Sequence, residues 1–91
     1  MEEEEQLRFV ISKIRDIRTQ KRMSQLELST QSNLSQSFLV SIEKGRKQPS
    51  VLTLLRIAKA LKVSPKSFFP DVEVGSKDEI KEIIVNLVRS L

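Results

Sequence analysis

The fold of this chain is decided by residues 24–44, which read SQLELSTQSNLSQSFLVSIEK. Ser24 and Glu27 have the S-x-x-E spacing of a capping box, so a helix is predicted to begin at about residue 25. Asn33 is the residue of this segment that best tolerates a left-handed backbone, which predicts that the helix ends just before it. The first half of the segment is therefore a short helix, about Gln25–Gln31.

A second short helix follows after a tight turn. Ser35 is placed to cap it, the predicted helix covers Gln36–Lys44, and Gly45 ends it. Leu39 and Ile42 point toward the core, which leaves a polar face on the opposite side: Gln36, Ser37 and Ser41. Two short helices with this spacing are typical of a helix-turn-helix, whose second helix lies in the major groove of DNA. The polar face is suited to hydrogen-bonding base edges there.

Helical periodicity continues on both sides of this segment, and no strand or internal repeat is visible. A first helix is predicted over residues 3–21. Ser50 caps a fourth helix, and Ser64-Pro65 opens a short fifth helix. That fifth helix is expected to bring two aromatic residues to the core, Phe68 and Phe69. The chain is thus predicted to be all-α.

The terminal segment, residues 76–91, is predicted to be an amphipathic helix that begins at a second capping box, Ser76-Lys-Asp-Glu79. One face carries six apolar residues: Ile80, Ile83, Ile84, Leu87, Val88 and Leu91. This face either folds back on its own domain or pairs with the same helix of a second chain. Because a five-helix core should already be closed, a homodimer interface is expected. Residues 1–70 then form the helix-turn-helix domain, with an acidic extension of helix one at residues 1–6.

Charge is divided unevenly along the chain, whose formal net charge is +4. Residues 13–66 contain twelve Lys/Arg and three acidic residues, a balance of +9, whereas residues 1–12 carry −3 and residues 67–91 carry −2. A basic middle between acidic ends suggests a confined surface for a polyanion. A solvated, lysine-rich surface is the alternative explanation of the charge alone.

Missing residue types exclude several functions. The chain has no Cys and no His, so it lacks disulfides, a thiol nucleophile, the usual general base and the commonest metal ligands. Without a Gly-rich phosphate loop as well, no enzyme, cofactor or metal is expected. No apolar run approaches the roughly 20 residues of a membrane helix, and the acidic start is unlike a signal peptide. A cytoplasmic, nucleoid-associated protein is expected.

Residues Ile14–Phe69 resemble the XRE family, the helix-turn-helix domain shared by Cro and the lambda-type phage repressors. The resemblance lies in three runs: IRDIRTQKRMSQLELS from Ile14, NLSQSFLVSIEKGRKQPS from Asn33 and LLRIAKALKVS from Leu54. The S-Q start of helix two and the segments I-E-K-G-x-x-x-P-S and A-K-A-L-x-V-S follow the order and spacing of the family. The resemblance implies a five-helix lambda-repressor-like domain, followed here by the C-terminal helix.

The resemblance also implies roles for individual residues. The positions that read bases in the family are occupied here by Gln36, Ser37 and Ser41. Phe38 stands at a DNA-proximal position that is usually polar in the family. There it could contact either a thymine methyl group or a sugar. Gln25 is expected to cap the DNA-facing end of helix two, close to a phosphate and beside Gln36. Further phosphate contacts are expected from Arg22, Lys44, Arg46 and Lys47. Arg18 and Glu43 match a pair that forms a structural ion pair between helices one and three.

Two more positions depart from the family. Arg22 replaces the glycine that is usual before helix two, so this turn is expected to differ in shape and to bring a further cation toward phosphate. Ser29 stands where a small alanine normally packs between the two helices, which places a hydroxyl near the core.

The sequence therefore predicts a sequence-specific DNA-binding transcriptional regulator that binds a palindromic operator on double-stranded DNA as a homodimer, as a repressor or a controller. A phage-type repressor, a restriction–modification controller and an antitoxin remain open, and the length with its short terminal helix suits the controller. The alternative from another class is a protein–protein adaptor that docks a partner without DNA. The Gln/Ser face beside a basic loop argues against that alternative.

Overall fold

The computed structural model describes residues 2–71 and 77–89, and in the last helix it describes side chains from residue 82 onward. Within these ranges all regular structure is helical, which confirms the predicted fold class. The elements are α1 (Glu3–Gln20), α2 (Gln25–Gln31), α3 (Gln36–Glu43), α4 (Val51–Leu61), a 3-10 helix (Pro65–Phe68) and α5 (Lys77–Arg89). None of these described helices is both long enough and apolar enough to cross a bilayer.

A serine cap explains where each of the middle helices begins. The side-chain oxygen accepts the backbone N–H three residues later at 3.0–3.1 Å in three of them, Ser24, Ser35 and Ser50. Ser64 caps the 3-10 helix by accepting the N–H of Lys66 at 3.3 Å. Each cap satisfies a donor that the first helical turn leaves unpaired. Ser76, which is predicted to cap the last helix, lies outside the described residues.

Left-handed residues end the helices and set the turns between them. Asn33 has φ 58° and Gly45 has φ 76°, as predicted from the sequence. Arg22 has φ 56°, so it adopts the conformation that glycine usually supplies at this turn. Holding a residue other than glycine in this left-handed backbone conformation costs about 1 kcal/mol. The turn before α2 therefore keeps its left-handed residue at a small cost, and it gains an exposed cation.

The core lies where α1, α2, α3, α4 and the 3-10 helix meet. Its fully buried members include Ile14, Leu28, Leu39, Ile42, Ile57, Leu61 and Phe68. The prediction that Phe69 is also a core residue is wrong, because its side chain is 36% exposed. The 3-10 helix ends at Phe68, and Phe69 continues in an extended conformation with φ −99° and ψ 143°. Its ring is therefore not carried into the core with that of Phe68.

Ser29 is buried on α2, so its hydroxyl lies near the core, as the sequence suggests. The residue is 2% exposed, and its hydroxyl donates a hydrogen bond to the carbonyl of Leu26 at 2.8 Å. Because the hydroxyl is satisfied within its own helix, it can be buried without the penalty of an unpaired polar group. Ser29 thus substitutes for alanine at this position.

Helix α5 stands beside α1 and α4 across an apolar cavity of about 390 Å³. The walls from α5 are Ile83, Ile84 and Leu87, and those from the rest of the chain include Leu7, Val10, Leu54 and Phe69. Ile83 is nevertheless 53% exposed and Val88 is 55% exposed. Of the other predicted interface residues, Ile80 has no described side chain and Leu91 lies outside the described residues. The apolar face of α5 therefore remains partly open to solvent.

We expect Leu39→Ala to lower the free energy of unfolding by about 2–5 kcal/mol, because it leaves a cavity at a fully buried position. Urea denaturation followed by circular dichroism measures the change. Leu26→Ala is the matched control, since Leu26 is 56% exposed and its truncation should change stability by less than about 0.5 kcal/mol. Equal losses in the two variants would contradict the assignment of Leu39 to the core.

Candidate nucleic-acid interface

Helix α3 has a buried side and an open side. Leu39, Ile42 and Glu43 are buried, whereas Gln36 and Ser37 are exposed. At about 100° per residue, Ser37 and the partly exposed Ser41 lie opposite the buried residues. The hydroxyl groups of these two serines therefore form the centre of the outward face of the helix, which we call the reading face.

Two apolar side chains flank the reading face. Phe38 and Val40 are partly exposed. Among the described residues, neither belongs to the core cluster or to the partly buried side chains packed against it. On a helical projection, Val40 lies on the same edge as Gln36, and Phe38 lies on the other edge. The reading face thus has an amide at one edge, hydroxyls at its centre and an aromatic ring at the opposite edge.

Glu43 joins three helices at the C-terminal end of α3. Its carboxylate accepts hydrogen bonds from Arg18 Nε at 2.8 Å and Arg18 Nη2 at 2.9 Å, which is a bidentate ion pair. Gln25 Nε2 donates to the same carboxylate at 3.1 Å. The side chains of Arg18 and Glu43 are only 12% and 4% exposed. Charge-assisted bidentate pairs have a fixed geometry, so these contacts hold α3 against α1 and α2.

Gln25 does not cap α2, which corrects one prediction. Ser24 is the N-cap, and Gln25 is the first residue of the helix. The Gln25 side chain instead turns toward Glu43, the last residue of α3. An amide NH₂ has two hydrogens, so one N–H donor of Gln25 remains available for a phosphate.

Arg15 belongs to the same network and was not predicted from the sequence. Its Nη2 donates to the backbone carbonyl of Glu43 at 2.7 Å, while Arg18 Nη1 donates to the carbonyl of Met23 at 2.9 Å. A cation at the C-terminal end of a helix also complements the helix dipole. The available signal was the spacing, because Arg15 lies three residues before Arg18 and so shares its face of α1.

The loop after α3 presents cations from a fixed backbone. The N–H of Gly45 bonds to the carbonyl of Ile42 at 2.9 Å, and the N–H groups of Arg46 and Lys47 bond to the carbonyl of Ser41 at 2.9 and 3.3 Å. All the predicted phosphate-binding cations have exposed side chains: Arg22, Lys44, Arg46 and Lys47. None of them forms an ion pair within residues 2–71. Their charges are therefore available to an anionic partner.

The described part of the chain has no cluster of acidic side chains that could hold a metal ion. The arrangement is instead one of a hydrogen-bonding helix face with unpaired cations beside its C-terminal end. Such a surface can bind a polyanion through its charges and distinguish partners through its hydroxyl and amide groups.

Comparison with known proteins matches residues 14–68 to the helix-turn-helix family. The HTH-type transcriptional regulator y4dJ of Sinorhizobium fredii is 40% identical over 57 residues, which cover 63% of this chain and 74% of that protein. The immunity repressor protein of Bacillus phage phi105 is 36% identical over 70 residues, which cover 77% of this chain but 45% of the repressor. The chain thus spans less than half the length of that repressor.

The fold also matches that of a solved structure. The crystal structure of the restriction-modification controller protein C.AhdI from Aeromonas hydrophila superposes with a TM-score of 0.67 at 32% identity, covering 69% of this chain and 96% of the controller. The proteins that this chain resembles are regulators and repressors rather than enzymes.

We expect Arg18→Ala to lower the free energy of unfolding by about 3 kcal/mol, because it leaves the Glu43 carboxylate buried without its counter-ion. Urea denaturation measures the loss. The double variant Arg18→Leu/Glu43→Leu should recover much of it by removing both charges. Arg15→Ala is the control, since it removes one hydrogen bond from an exposed side chain and should cost only about 1 kcal/mol. A loss no larger in Arg18→Ala than in this control would be evidence against a stabilising pair.

Proposed function

The chain belongs to the XRE family of helix-turn-helix proteins, and we propose that it binds a palindromic operator as a homodimer and thereby controls a nearby promoter. Members of this family are DNA-binding transcriptional regulators, and so is this chain. The observation that carries the proposal is α3, whose open side presents hydroxyl and amide groups while cations surround its end. We propose that the protein acts in the cytoplasm, at the nucleoid, where its DNA ligand is found.

The two kinds of DNA contact are divided between the two ends of α3. The N-terminal residues of a recognition helix reach base edges, so we assign base reading to Gln36, Ser37 and Phe38, and also to Ser41, which lies one turn further along the same open side. Phosphate binding is assigned to the C-terminal end, where Gln25 meets Glu43 and the basic loop follows. Residues assigned to phosphate are Arg22, Gln25, Lys44, Arg46 and Lys47, to which Arg15 is added because its exposed guanidinium lies at the same end.

The proposed dimer forms through α5. Ile83, Leu87 and Val88 on one face of this helix are 37–55% exposed, and the neighbouring Phe69 is 36% exposed. A contiguous apolar surface of this kind marks an interface in soluble proteins. A two-fold dimer would also place two copies of α3 in successive major grooves about one DNA turn apart, which doubles the sequence that is read.

Among regulator types we favour a controller. The similarity to the C.AhdI controller extends over 96% of that protein, whereas the similarity to the phage repressor extends over 45% of it. Controllers and repressors alike would act here by occupying the operator, so the sign of regulation depends on where the operator lies relative to the promoter.

Selection from a randomised DNA duplex library at about 150 mM salt tests the proposal, and we expect a two-fold symmetric motif with half-sites about 10 bp apart. On the recovered operator, Gln36→Ala should chiefly relax the preference at one base pair of each half-site. Lys47→Ala should instead weaken binding to specific and random DNA alike. It should also reduce the salt slope by about 0.9 for each phosphate that is no longer bound, or about twice that in a dimer.

Lys66→Ala is the matched control for Lys47→Ala, because Lys66 is an exposed cation on the 3-10 helix, outside the assigned interface. It should leave the salt slope unchanged. Recovery of no motif above background would reject the proposed operator binding. Equal effects of Gln36→Ala and Lys47→Ala on specific and random DNA would reject the division of roles.

Ile83→Glu should shift the protein from dimer to monomer, because it places a charge in the proposed apolar interface. We expect the dimer dissociation constant to rise at least tenfold in sedimentation equilibrium. Leu26→Glu is the control, since Leu26 is equally exposed but lies on α2. A dimer of unchanged strength in Ile83→Glu would place the interface elsewhere.

A further inference from the structure

Phe38 is the one aromatic residue on α3, and it lies at one edge of a reading face whose centre carries hydroxyl groups. Its side chain is partly exposed, yet it is not among the side chains that pack against the core. Its ring is therefore covered only in part within the single chain. A large apolar group in this position gains most from a partner that can cover the rest of the ring.

The position of Phe38 along α3 indicates where that partner lies. Phe38 is the third residue of the helix, and its N–H is held by the hydroxyl of Ser35 at 3.1 Å, which fixes its backbone at the helix start. The groups assigned to phosphate stand at the other end, around Glu43. Because the N-terminal residues of a recognition helix enter the groove, this position favours base edges over the sugars of the backbone as the partner of the ring.

The major-groove edges of the bases offer few partners to a phenyl ring. Guanine, adenine and cytosine present hydrogen-bond donors and acceptors, and a ring that covers these groups removes them from water without replacing their hydrogen bonds. Thymine adds an apolar group, the C5-methyl. A cytosine methylated at C5 carries the same methyl group at the same place.

We propose that Phe38 is a specificity-determining residue that reads the C5-methyl of a pyrimidine at one position of each half-site. This inference rests on the proposed function, since it needs an operator. It makes the preferred base at that position thymine, with 5-methylcytosine as the nearest substitute. Binding to a site with cytosine at that position therefore depends on whether the cytosine is methylated.

A deoxyuridine scan of the selected operator tests the proposal on the unmodified protein. Each thymine is replaced in turn by deoxyuridine, which removes the methyl and keeps the hydrogen-bonding groups. We expect one thymine per half-site at which the dissociation constant rises about fourfold, the effect of uncovering one buried methyl group. The same replacement elsewhere should change affinity less.

Variants of the protein then identify the side chain that contacts the methyl group. Phe38→Ala should bind the thymine and uracil operators equally well at that position, while Val40→Ala and Leu26→Ala should keep the fourfold difference. Val40 controls for the other apolar edge of α3, and Leu26 controls for loss of an apolar side chain on α2. A melting temperature close to that of the unmodified protein, as expected for a residue outside the core, shows that Phe38→Ala is folded.

A second measurement restores the methyl on another base. With cytosine at the identified position, methylation at C5 should tighten binding of the unmodified protein about fourfold and leave Phe38→Ala unchanged. A scan with no sensitive thymine, a difference that survives Phe38→Ala, or one removed by Val40→Ala would each overturn the proposal. Those outcomes do not contradict the proposed function, because the selection has by then already recovered an operator. A selection that recovers no operator rejects both.

Discussion

The buried carboxylate of Glu43 fixes the position of the helix on which the whole interface is built. A helix of eight residues is not stable alone in water, so α3 owes its existence to the helices around it. Arg18 and Gln25 reach the same carboxylate from α1 and α2 and make its burial tolerable. Arg15 bonds the adjacent backbone carbonyl. These contacts fix the direction of α3 relative to both of its neighbours.

Because α3 is held at its C-terminal end, its N-terminal end is left open for contact with a partner. Most of the side chains to which we assign base reading lie toward that end, on the side opposite Leu39 and Ile42. The basic loop begins where the Glu43 network ends, and its backbone bonds back to Ser41, so the loop backbone is held next to the reading face. In the proposed function, the groups that bind phosphates and those that read base edges are thus carried by the same helix and its adjoining loop.

The terminal helix has a different relation to the domain. It lines a cavity with α1 and α4, but much of its apolar surface remains exposed in a single chain. In the proposed dimer this surface is covered by the second copy, and the spacing of the two reading faces follows from how the α5 helices pair. The helix that reads no DNA would then determine which half-site spacing is bound.

Local sequence patterns were sufficient to predict the fold class, the bounds of α1, α2 and α3 to within one residue, the start of α4 and the left-handed turns at Asn33 and Gly45. These features follow from caps and periodicity, which act over a few neighbouring residues. The partner of Gln25, the contact of Arg15 and the exposure of Phe69 became evident in the folded chain alone. The first two contacts join residues 18 and 28 positions apart, and the third depends on where a short helix ends against the core. Such contacts depend on how the helices pack against one another, so they cannot be predicted from local sequence patterns.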